Sequence, residues 1–536
     1  MSVQGDPMNL RRWGAKTDAL RFSILTVDTG IDRFWPWFIV VIVVAFVLRF
    51  GLAVAFPNLH RPDEVFQNLE PAFWMWSGGG VVTWEWREGI RSPMFPAFLA
   101  GLISISAKVG LGAAGYIAVI AAAMSLLSTG VVAVGFLFGW RQSRWEGAVV
   151  CSVLCAVWPD LVYFGPKPLA EIQAGNLLII AVYVATYANR AKENDPAIAA
   201  DWRRVAPQMF LAGLLLGLVF CVRFHLSPAL LLIAAWSCRL EFQQRWLFLV
   251  LGGLLPVIVM GFVDFFFWGS LFHSVWRNYE VNVIQHVSNE WGTQPIYWFF
   301  STFLSEWGAA TVPIALTFLL GLRRAPLLGA MAAVIVLSHS AIAHKEISYV
   351  YASLPPALVV AGLGTTEIVR WLMPQRRPAL GPTGIMVTSV LWIAISVTTA
   401  LSGGFRPQWK AHAAVLHAEE AVANEPELCG LGVRWPKVFW FWTGGDSYLG
   451  RSIPIYAFGT AAGTARVAPA INFAIGGNDV ADGLPEFSLV RCWTGDDGNV
   501  CLARAERGKV CTPDPNFDLN SVPGLGFVGT DFGADH

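Results

Sequence analysis

Long apolar runs separated by short polar segments occupy most of the chain as far as Leu401. A helix that crosses the hydrocarbon core of a bilayer needs about 20 apolar residues, so such runs predict membrane-spanning helices. The pattern predicts an all-α polytopic membrane protein with about 11 transmembrane helices. In chain order the eleven runs are Phe34–Phe56, Leu111–Trp140, Gly147–Phe164, Leu169–Ala188, Phe210–Val222, Leu226–Cys238, Trp246–Trp268, Trp298–Leu322, Ala325–Ala343, Ile347–Leu372 and Ile385–Leu401.

Basic residues indicate whether a shorter run, Ser92–Lys108, also crosses the membrane. Positively charged loops favour the cytoplasmic side. If Ser92–Lys108 does not cross, the loops that carry arginine pairs all fall on the side of the N-terminal tail. If it crosses, every later basic loop moves outside. We therefore expect a juxtamembrane or re-entrant helix here, with the N-terminus inside and the C-terminus outside.

This topology divides the chain into three parts. Residues 1–33 are polar, lack the features of a signal peptide and are predicted to form a cytoplasmic tail. Residues 34–402 form the transmembrane domain, with a helical first outer loop at residues 57–110. Residues 403–536 contain no span and are predicted to form a small α/β extracytoplasmic domain.

Four of the eight cysteines lie in this last part, at Cys429, Cys492, Cys501 and Cys511. Outside the membrane they allow two disulfides in three possible connectivities, and the sequence does not choose among them. The alternative is four free thiols in a small core. The other four cysteines lie in predicted spans and are expected to be packing residues.

Composition supports the membrane assignment. The 536 residues are 55% hydrophobic and 14% charged, with a mean hydropathy of +0.53. The net charge of zero gives no electrostatic reason to expect nucleic acid as a partner. There are 29 Arg and 8 Lys, and no Asn-x-Ser/Thr sequon occurs. These two features favour a bacterial cytoplasmic membrane, with the endoplasmic reticulum membrane as the alternative.

Ionisable residues converge on the outer face, where they indicate a functional site. The most informative segment is His60–Glu70. A helix from Val65 onward would place Asp63, Gln67 and Glu70 on one face of the helix. Val65, Leu69 and Phe73 would form a separate apolar stripe, as in a helix that lies flat on the bilayer. The outer face of the membrane also carries Lys167, Glu171, Arg223, His225, Asp264, His344, Lys345 and Glu346.

A carboxylate that faces cations at a lipid boundary suits group transfer from a lipid phosphate. The carboxylate can act as general base on an acceptor hydroxyl. Arginine and lysine can hold the phosphate and stabilise the charge that grows on it as it leaves. The residues alone therefore predict a transferase that uses a lipid-phosphate donor, without naming the group transferred.

Five segments resemble the motifs of glycosyltransferase family 22, the multispanning GT-C mannosyltransferases of glycosylphosphatidylinositol and lipid-linked oligosaccharide assembly. They occur in the order that the family shows. Two departures stand out: Arg61 is inserted in the first motif, and Ser348 stands where arginine is usual in the last. The segments are His60–Gln67, Thr83–Ser92, Asp264–Gly269, Trp291–Trp298 and His344–Tyr351.

The resemblance implies an inverting mannosyltransferase that needs no metal or other cofactor. Its partners would be a polyprenyl- or dolichyl-phosphate mannose donor, a glycan or glycolipid acceptor and membrane lipids. Asp63 is the expected general base and Glu64 the second candidate, while the alternative role for Asp63 is a helix N-cap. The expected phosphate ligands are Lys345, His344 and Arg223, and the expected substrate contacts are His60, Gln67, Glu70, Trp84 and Arg91.

Some of these residues have a structural role as the alternative to a functional one. Lys345 could anchor the chain at the membrane interface, and Gln67 and Glu70 could belong to a solvated helix face. Two other functions remain open at this point. One is a transporter or flippase for a lipid-linked sugar, since ionisable residues also mark transport paths. The other is a homologue that binds without catalysing transfer.

Overall fold

A computed structural model describes residues 31–194, 202–372, 382–495, 498–506 and 508–520. Nearly all of the predicted cytoplasmic tail lies outside these residues. Eight of the described helices are long and apolar enough to cross a membrane: Phe34–Ala55, Ala113–Val157, Ala170–Tyr187, Val205–Val222, Phe242–Trp268, Trp298–Gly321, Ile347–Leu372 and Thr383–Ala400. The polytopic helical architecture is confirmed, whereas the number eleven stays a prediction.

The eight long apolar helices are fewer than the eleven predicted spans partly because of where the helices join or break. Ala113–Val157 is two helices joined at Ser143 and Arg144, where the backbone leaves helical geometry. It therefore contains one predicted span and most of the next. Three further apolar helices are shorter than the eight: Met94–Lys108, Phe224–Cys238 and Pro326–Ser340. The two predicted spans at residues 226–238 and 325–343 correspond to the last two.

The predicted span Trp298–Leu322 is not one continuous α-helix. It forms Trp298–Trp307, the 3₁₀ turn Gly308–Ala310 and Thr311–Gly321. Gly308 has a φ of +53°, in the left-handed region that glycine adopts without a Cβ clash. The chain therefore changes direction here, close to the segment that leads into the C-terminal domain.

Glycine contacts bring two pairs of membrane helices close together. A Cβ on Gly213 would overlap the carbonyl oxygen of Leu249, and a Cβ on Gly364 would overlap that of Thr317. The helices concerned are Trp202–Val222 against Leu247–Trp268, and Thr311–Gly321 against Leu354–Leu372. Small residues allow such backbone approach in lipid, where van der Waals packing drives helix association.

The first outer loop is helical, as predicted, but its apolar face does not lie on the bilayer. Val65, Leu69 and Phe73 are buried in a cluster that includes Ile103 and, from the C-terminal domain, Val415. The loop consists of the π-helix Glu64–Leu69 and the α-helices Glu70–Ser77, Trp84–Arg87 and Met94–Lys108. It is therefore clamped between the membrane helices and the C-terminal domain.

The C-terminal domain is α/β, as predicted. Its five-stranded sheet has the order β2-β1-β3-β5-β4; β1 is parallel to β2 and β3, and β5 is antiparallel to β3 and β4. The strands are β1 Leu431–Arg434, β2 Ile455–Phe458, β3 Phe473–Gly476, β4 Phe487–Gly495 and β5 Gly498–Ala505, and the α-helices are Ala413–Ala423, Gly445–Leu449 and Ala461–Val467.

Both disulfides form, so the free-thiol alternative is wrong: Cys429 pairs with Cys511, and Cys492 with Cys501. Cys151, Cys155, Cys221 and Cys238 are free and buried, as expected of packing residues. The domain boundaries and the side of the membrane on which the domain lies stay predictions.

Candidate active site

Asp63 lies where the first outer loop turns into the π-helix Glu64–Leu69. Its side chain makes no capping hydrogen bond, so the N-cap alternative is wrong. Burial raises the pKa of the Asp63 carboxyl well above its usual range, and the neighbouring carboxylates of Glu346, Glu85 and Glu171 raise it further while Arg91 lowers it. A partly buried carboxyl with a raised pKa is a stronger base than an exposed one, as general-base catalysis requires.

Glu64, the adjacent acid, is committed to the structure. Both of its carboxylate oxygens lie 3.0 Å from Nζ of Lys167, and one accepts the backbone N–H of His60. Lys167 also donates to Oδ1 of Asn58 at 2.8 Å. This buried ion pair fixes the turn that carries Asp63 and leaves Glu64 poorly placed to accept a proton.

The short helix Trp84–Arg87 contacts Gln67 of the first motif. Arg91 forms an ion pair with Glu85 (Nη2 to Oε1, 2.6 Å), and Glu85 also accepts from Nε2 of Gln67 at 3.3 Å. Trp86 donates its indole N–H to the Gln67 carbonyl at 3.2 Å. Glu85 therefore places Arg91 near Asp63, a role that its position in the Thr83–Ser92 motif could have indicated.

Arg223 supplies a second cation. It forms an ion pair with Glu171 (2.6 Å) and lies over the ring of Tyr349, 5.3 Å from its centroid. Arg91 and Arg223 line one small cavity, together with Ser92, His225, Ser274 and Asn278. Nδ1 of His225 is buried without a hydrogen-bond partner. Asn278 was not singled out in the sequence, and His225, two positions after Arg223, was expected on the outer face without an assigned role.

The His344–Glu346 segment reaches this region through Glu346. Burial opposes ionisation of this carboxyl, but a hydrogen bond from His344 and the charges of Arg61 and Arg223 lower its pKa below the usual value. The inserted Arg61 therefore faces Glu346, which gives it a place in the site. Because Glu346 stays ionised, it adds to the negative charge around Asp63.

Lys345 and His344 contact the segment 292–294, which precedes them in the sequence. The Lys345 ammonium donates to the carbonyls of Gln294 (2.9 Å), Ala343 (3.5 Å) and Ile342. Nδ1 of His344 lies 2.9 Å from the carbonyl oxygen of Gly292. An ammonium has three protons, and three carbonyls occupy them. In this structure these residues fasten the 292–294 segment.

Three predicted substrate contacts are packed against other groups of the protein. Glu70 is fully buried against the C-terminal domain, where it accepts the backbone N–H of Ser447 at 2.6 Å. It does not share a face with Asp63 and Gln67, because the intervening turn is π-helical and so has a different angular spacing from an α-helix. Trp84 packs in a buried cluster with Ile90 and Val281. The His60 ring packs edge-on against Phe164.

Two outer-face carboxylates are structural. Asp264 accepts the backbone N–H and the hydroxyl of Ser274, at 2.9 and 2.6 Å, and so fixes the start of the helix His273–Tyr279. Asp264 therefore caps the N-terminal end of this helix. Glu171 pairs with Arg223 and lies near Asp63.

Comparison with known proteins decides the family. A model of the Alg9-like mannosyltransferase family matches residues 38–428, more than half of the chain. The chain belongs to this family. It is a multi-pass membrane glycosyltransferase, specifically a mannosyltransferase of the GT-C type, as the motif resemblance implied. An enzyme is therefore favoured over the transporter and the non-catalytic homologue.

Curated relatives and solved structures agree with this assignment. GPI mannosyltransferase 3 of Yarrowia lipolytica is 23% identical over 427 residues, which are 78% of this chain and 76% of that protein. The Drosophila melanogaster protein of the same name is 24% identical over 73% of this chain and 64% of its own length. The crystal structure of ArnT from Cupriavidus metallidurans bound to undecaprenyl phosphate has a TM-score of 0.55 at 13% identity. It covers 89% of this chain and 99% of that one, and shows a shared fold.

Both of these relatives are eukaryotic, so the predicted bacterial cytoplasmic membrane finds no support. Arginine content and a missing sequon are weak guides to compartment, because genome composition and chance also determine them. The coarser statement, a multi-pass membrane protein, holds.

Proposed function

We propose that this protein transfers mannose from a polyprenyl- or dolichyl-phosphate donor to a glycolipid acceptor of the GPI type at the outer face of the membrane. Asp63 is the general base. The proposal rests chiefly on one observation: Asp63 is a partly buried carboxyl without a capping bond, close enough to Arg91 for the two charges to interact. Arg91 in turn lines a small cavity together with Arg223. The acceptor class follows from the names of the relatives, and their eukaryotic origin favours the endoplasmic reticulum membrane.

The reaction is a single displacement. Asp63 takes the proton of the acceptor hydroxyl, the oxygen attacks the anomeric carbon of mannose, and the bond from that carbon to the phosphate oxygen breaks. The lipid phosphate leaves with the bonding electrons. One base and one inversion suffice, so a β-linked donor gives an α-linked product.

The donor phosphate would lie against Arg223 and Arg91, with His225 and Asn278 as further hydrogen-bonding groups. Arginine offers planar, paired N–H donors that match phosphate oxygens. Charge that develops on the leaving phosphate is stabilised best by fixed donors at a site shielded from water. The ion pairs of the two arginines with Glu171 and Glu85 hold them in position before the donor binds. The undecaprenyl phosphate in the ArnT crystal structure is consistent with a lipid phosphate in this fold.

The decisive experiment measures transfer of radiolabelled mannose from dolichyl-phosphate mannose to GPI-precursor acceptors by the purified protein. Asp63→Asn is expected to lower kcat by about 10³-fold, since a positioned base contributes about 10² to 10⁴. Glu64→Gln is the matched neighbour and tests whether the base is the adjacent acid. Normal turnover by a folded Asp63→Asn protein would overturn the base assignment. Retention of the donor's anomeric configuration would overturn the mechanism.

A further inference from the structure

Three carboxyl groups are buried together where the first outer loop meets the C-terminal domain. Glu70 comes from the outer-loop helix, Glu419 from the helix Ala413–Ala423, and Asp446 from the short helix Gly445–Leu449. Each of the three residues is 0% exposed. Buried acids at a contact between domains require an explanation, since ionised carboxylates are costly to remove from water.

Glu70 and Glu419 accept hydrogen bonds from the backbone of one turn of the C-terminal domain, Gly444–Ser447, which also contains Asp446. The two oxygens of Glu70 accept the backbone N–H groups of Ser447 (2.6 Å) and Val81 (3.1 Å). Glu419 accepts the N–H of Gly444 at 2.5 Å. From the membrane domain, the Tyr116 hydroxyl donates to the Ser447 carbonyl.

The turn is seated so closely that it has no room for a side chain at Gly445. A Cβ there would overlap Oε1 of Glu70, and the residue has a φ of +61°. The contact is therefore built in detail on both sides and is more than a loose apposition of two domains.

Within the described residues, no ion pair neutralises any of the three acids. The groups that face Glu70 are Glu419 and Asp446 of the C-terminal domain and Tyr116 of the helix Ala113–Val157. Tyr448, the residue that follows the turn, faces Tyr116, Glu64 and Glu419. Asp446 also faces Asp518, and it accepts from Asn520 at 3.2 Å. One oxygen of Glu419 has no hydrogen-bond partner. An all-acid cluster of this kind is stable only while it holds protons.

The pKa values agree with this picture. Burial raises the pKa of Glu70 to about 7, and raises those of Glu419 and Asp446 to about 8. At neutral pH the cluster therefore retains protons. Because the pKa values are raised in the folded state, the contact is fully stable only below the ordinary pKa values of these acids, 3.8 for Asp and 4.5 for Glu. Its stability falls as pH rises above them, and the protons are lost as pH passes through about 7 to 8.

The contact is connected directly to the proposed base. The π-helix Glu64–Leu69, which begins next to Asp63, continues without a break into the helix Glu70–Ser77. Any movement of Glu70 is therefore transmitted to Asp63 through the six helical residues between them.

We propose that Glu70 is a positioning residue. Its carboxyl group, which is buried with those of Glu419 and Asp446, binds the turn Gly444–Ser447. It thereby docks the C-terminal domain onto the first outer loop and holds Asp63 in place for catalysis. The proposal rests on the function proposed above. It predicts that loss of the carboxyl protons at alkaline pH undocks the turn Gly444–Ser447 and lowers kcat, without a change in donor binding.

The main variant is Glu419→Gln, in which the neutral amide imitates the protonated acid. Glu420→Gln is the matched control, because Glu420 is the next residue of the same helix and is exposed. The pH–rate profile of kcat is expected to fall above about pH 8 in wild type and in Glu420→Gln. In Glu419→Gln the fall shifts to higher pH, and kcat at pH 7 stays close to wild type. Superimposable profiles for the three proteins would overturn the proposal.

A second measurement separates positioning from overall stability. Hydrogen exchange at the Ser447 and Val81 amides, compared among proteins at one pH, should be faster at pH 9 in wild type and in Glu420→Gln than in Glu419→Gln. Glu70→Ala should lower kcat at least tenfold with unchanged donor KM, because it removes the acceptors of the Ser447 and Val81 N–H groups. Wild-type kcat in a folded Glu70→Ala protein would show that the positioning role is wrong.

These outcomes are distinguishable from failure of the proposed function. Hydrogen exchange reports docking of the domain whatever reaction the protein performs. An Asp63→Asn variant that keeps wild-type exchange but loses transfer would separate the base from the contact that positions it. Identical exchange in wild type and Glu419→Gln at pH 9 would overturn the docking proposal even if Asp63 is the base.

Discussion

Lys167 and Glu64 form a buried ion pair, with Nζ of the lysine 3.0 Å from both oxygens of the glutamate. The pair joins the segment that follows Pro159–Phe164 to the turn that carries Asp63. The two adjacent acids therefore have different roles. Glu64 is held in an ion pair, whereas the Asp63 side chain makes no capping hydrogen bond to the helix beside it.

Lys167→Ala is expected to destabilise the protein by about 3 kcal/mol, because it leaves the Glu64 carboxylate buried and unpaired. Thermal unfolding in detergent measures this effect. The double variant Lys167→Met with Glu64→Gln should recover much of the loss, since it removes both charges together. The control is Arg324→Ala, whose partner Glu367 is partly exposed and whose loss should cost less than about 1 kcal/mol. Equal losses for the two single variants would contradict this assignment.

Much of the fold follows from the sequence because its causes are local. Apolar runs specified the membrane helices, and the change in composition after Leu401 specified a separate α/β domain. The π-helical turn before Glu70 could not be predicted in the same way. Its geometry depends on packing against the C-terminal domain, more than 300 residues away in the sequence, and that packing redirected Glu70 from the expected site.

Contacts between distant parts of the sequence also limited what could be predicted of the candidate site. Asp63 and Arg223, which the motif and the topology predict to lie on one face, both interact with Glu171 and Glu346. The sequence could not show which cations were already occupied by other groups. Lys345 is bonded to the backbone carbonyl of Gln294, 51 residues earlier, and to two carbonyls of its own turn. Arg91, expected to contact substrate, lines the cavity with Arg223.

Arg223→Ala is expected to raise the donor KM by about 10- to 100-fold, since a hydrogen bond to a charged group contributes about 1.5 to 3 kcal/mol. Lys345→Ala should leave donor KM nearly unchanged and lower thermal stability, because its ammonium is bound to carbonyls of its own chain. Steady-state kinetics with varied dolichyl-phosphate mannose check both. A large rise in donor KM for Lys345→Ala alone would return the phosphate role to Lys345.

Glu346→Gln is expected to shift the acid limb of the pH profile of kcat/KM to lower pH. The ionised Glu346 raises the pKa of Asp63, so its removal makes Asp63 easier to deprotonate. The base is active when ionised, and activity is therefore lost as pH falls through its pKa. Glu280→Gln is the control, because Glu280 is half exposed and pairs with Arg277. An acid limb that stays fixed in Glu346→Gln would show that a group other than Asp63 sets it.

The two disulfides should contribute unequally to the stability of the C-terminal domain. Cys429 and Cys511 are separated by 82 positions, and Cys492 and Cys501 by 9. Loop-closure entropy predicts a stabilisation of about 4.5 kcal/mol for the long loop and about 2.6 kcal/mol for the short one. Double serine variants of each pair, compared by thermal unfolding, measure the difference. The long-loop pair also ties the start of the sheet to the segment beyond β5, so its loss should expose that segment to protease first. Equal destabilisation by the two variants would show that strain or residual structure in the unfolded chain outweighs loop entropy here.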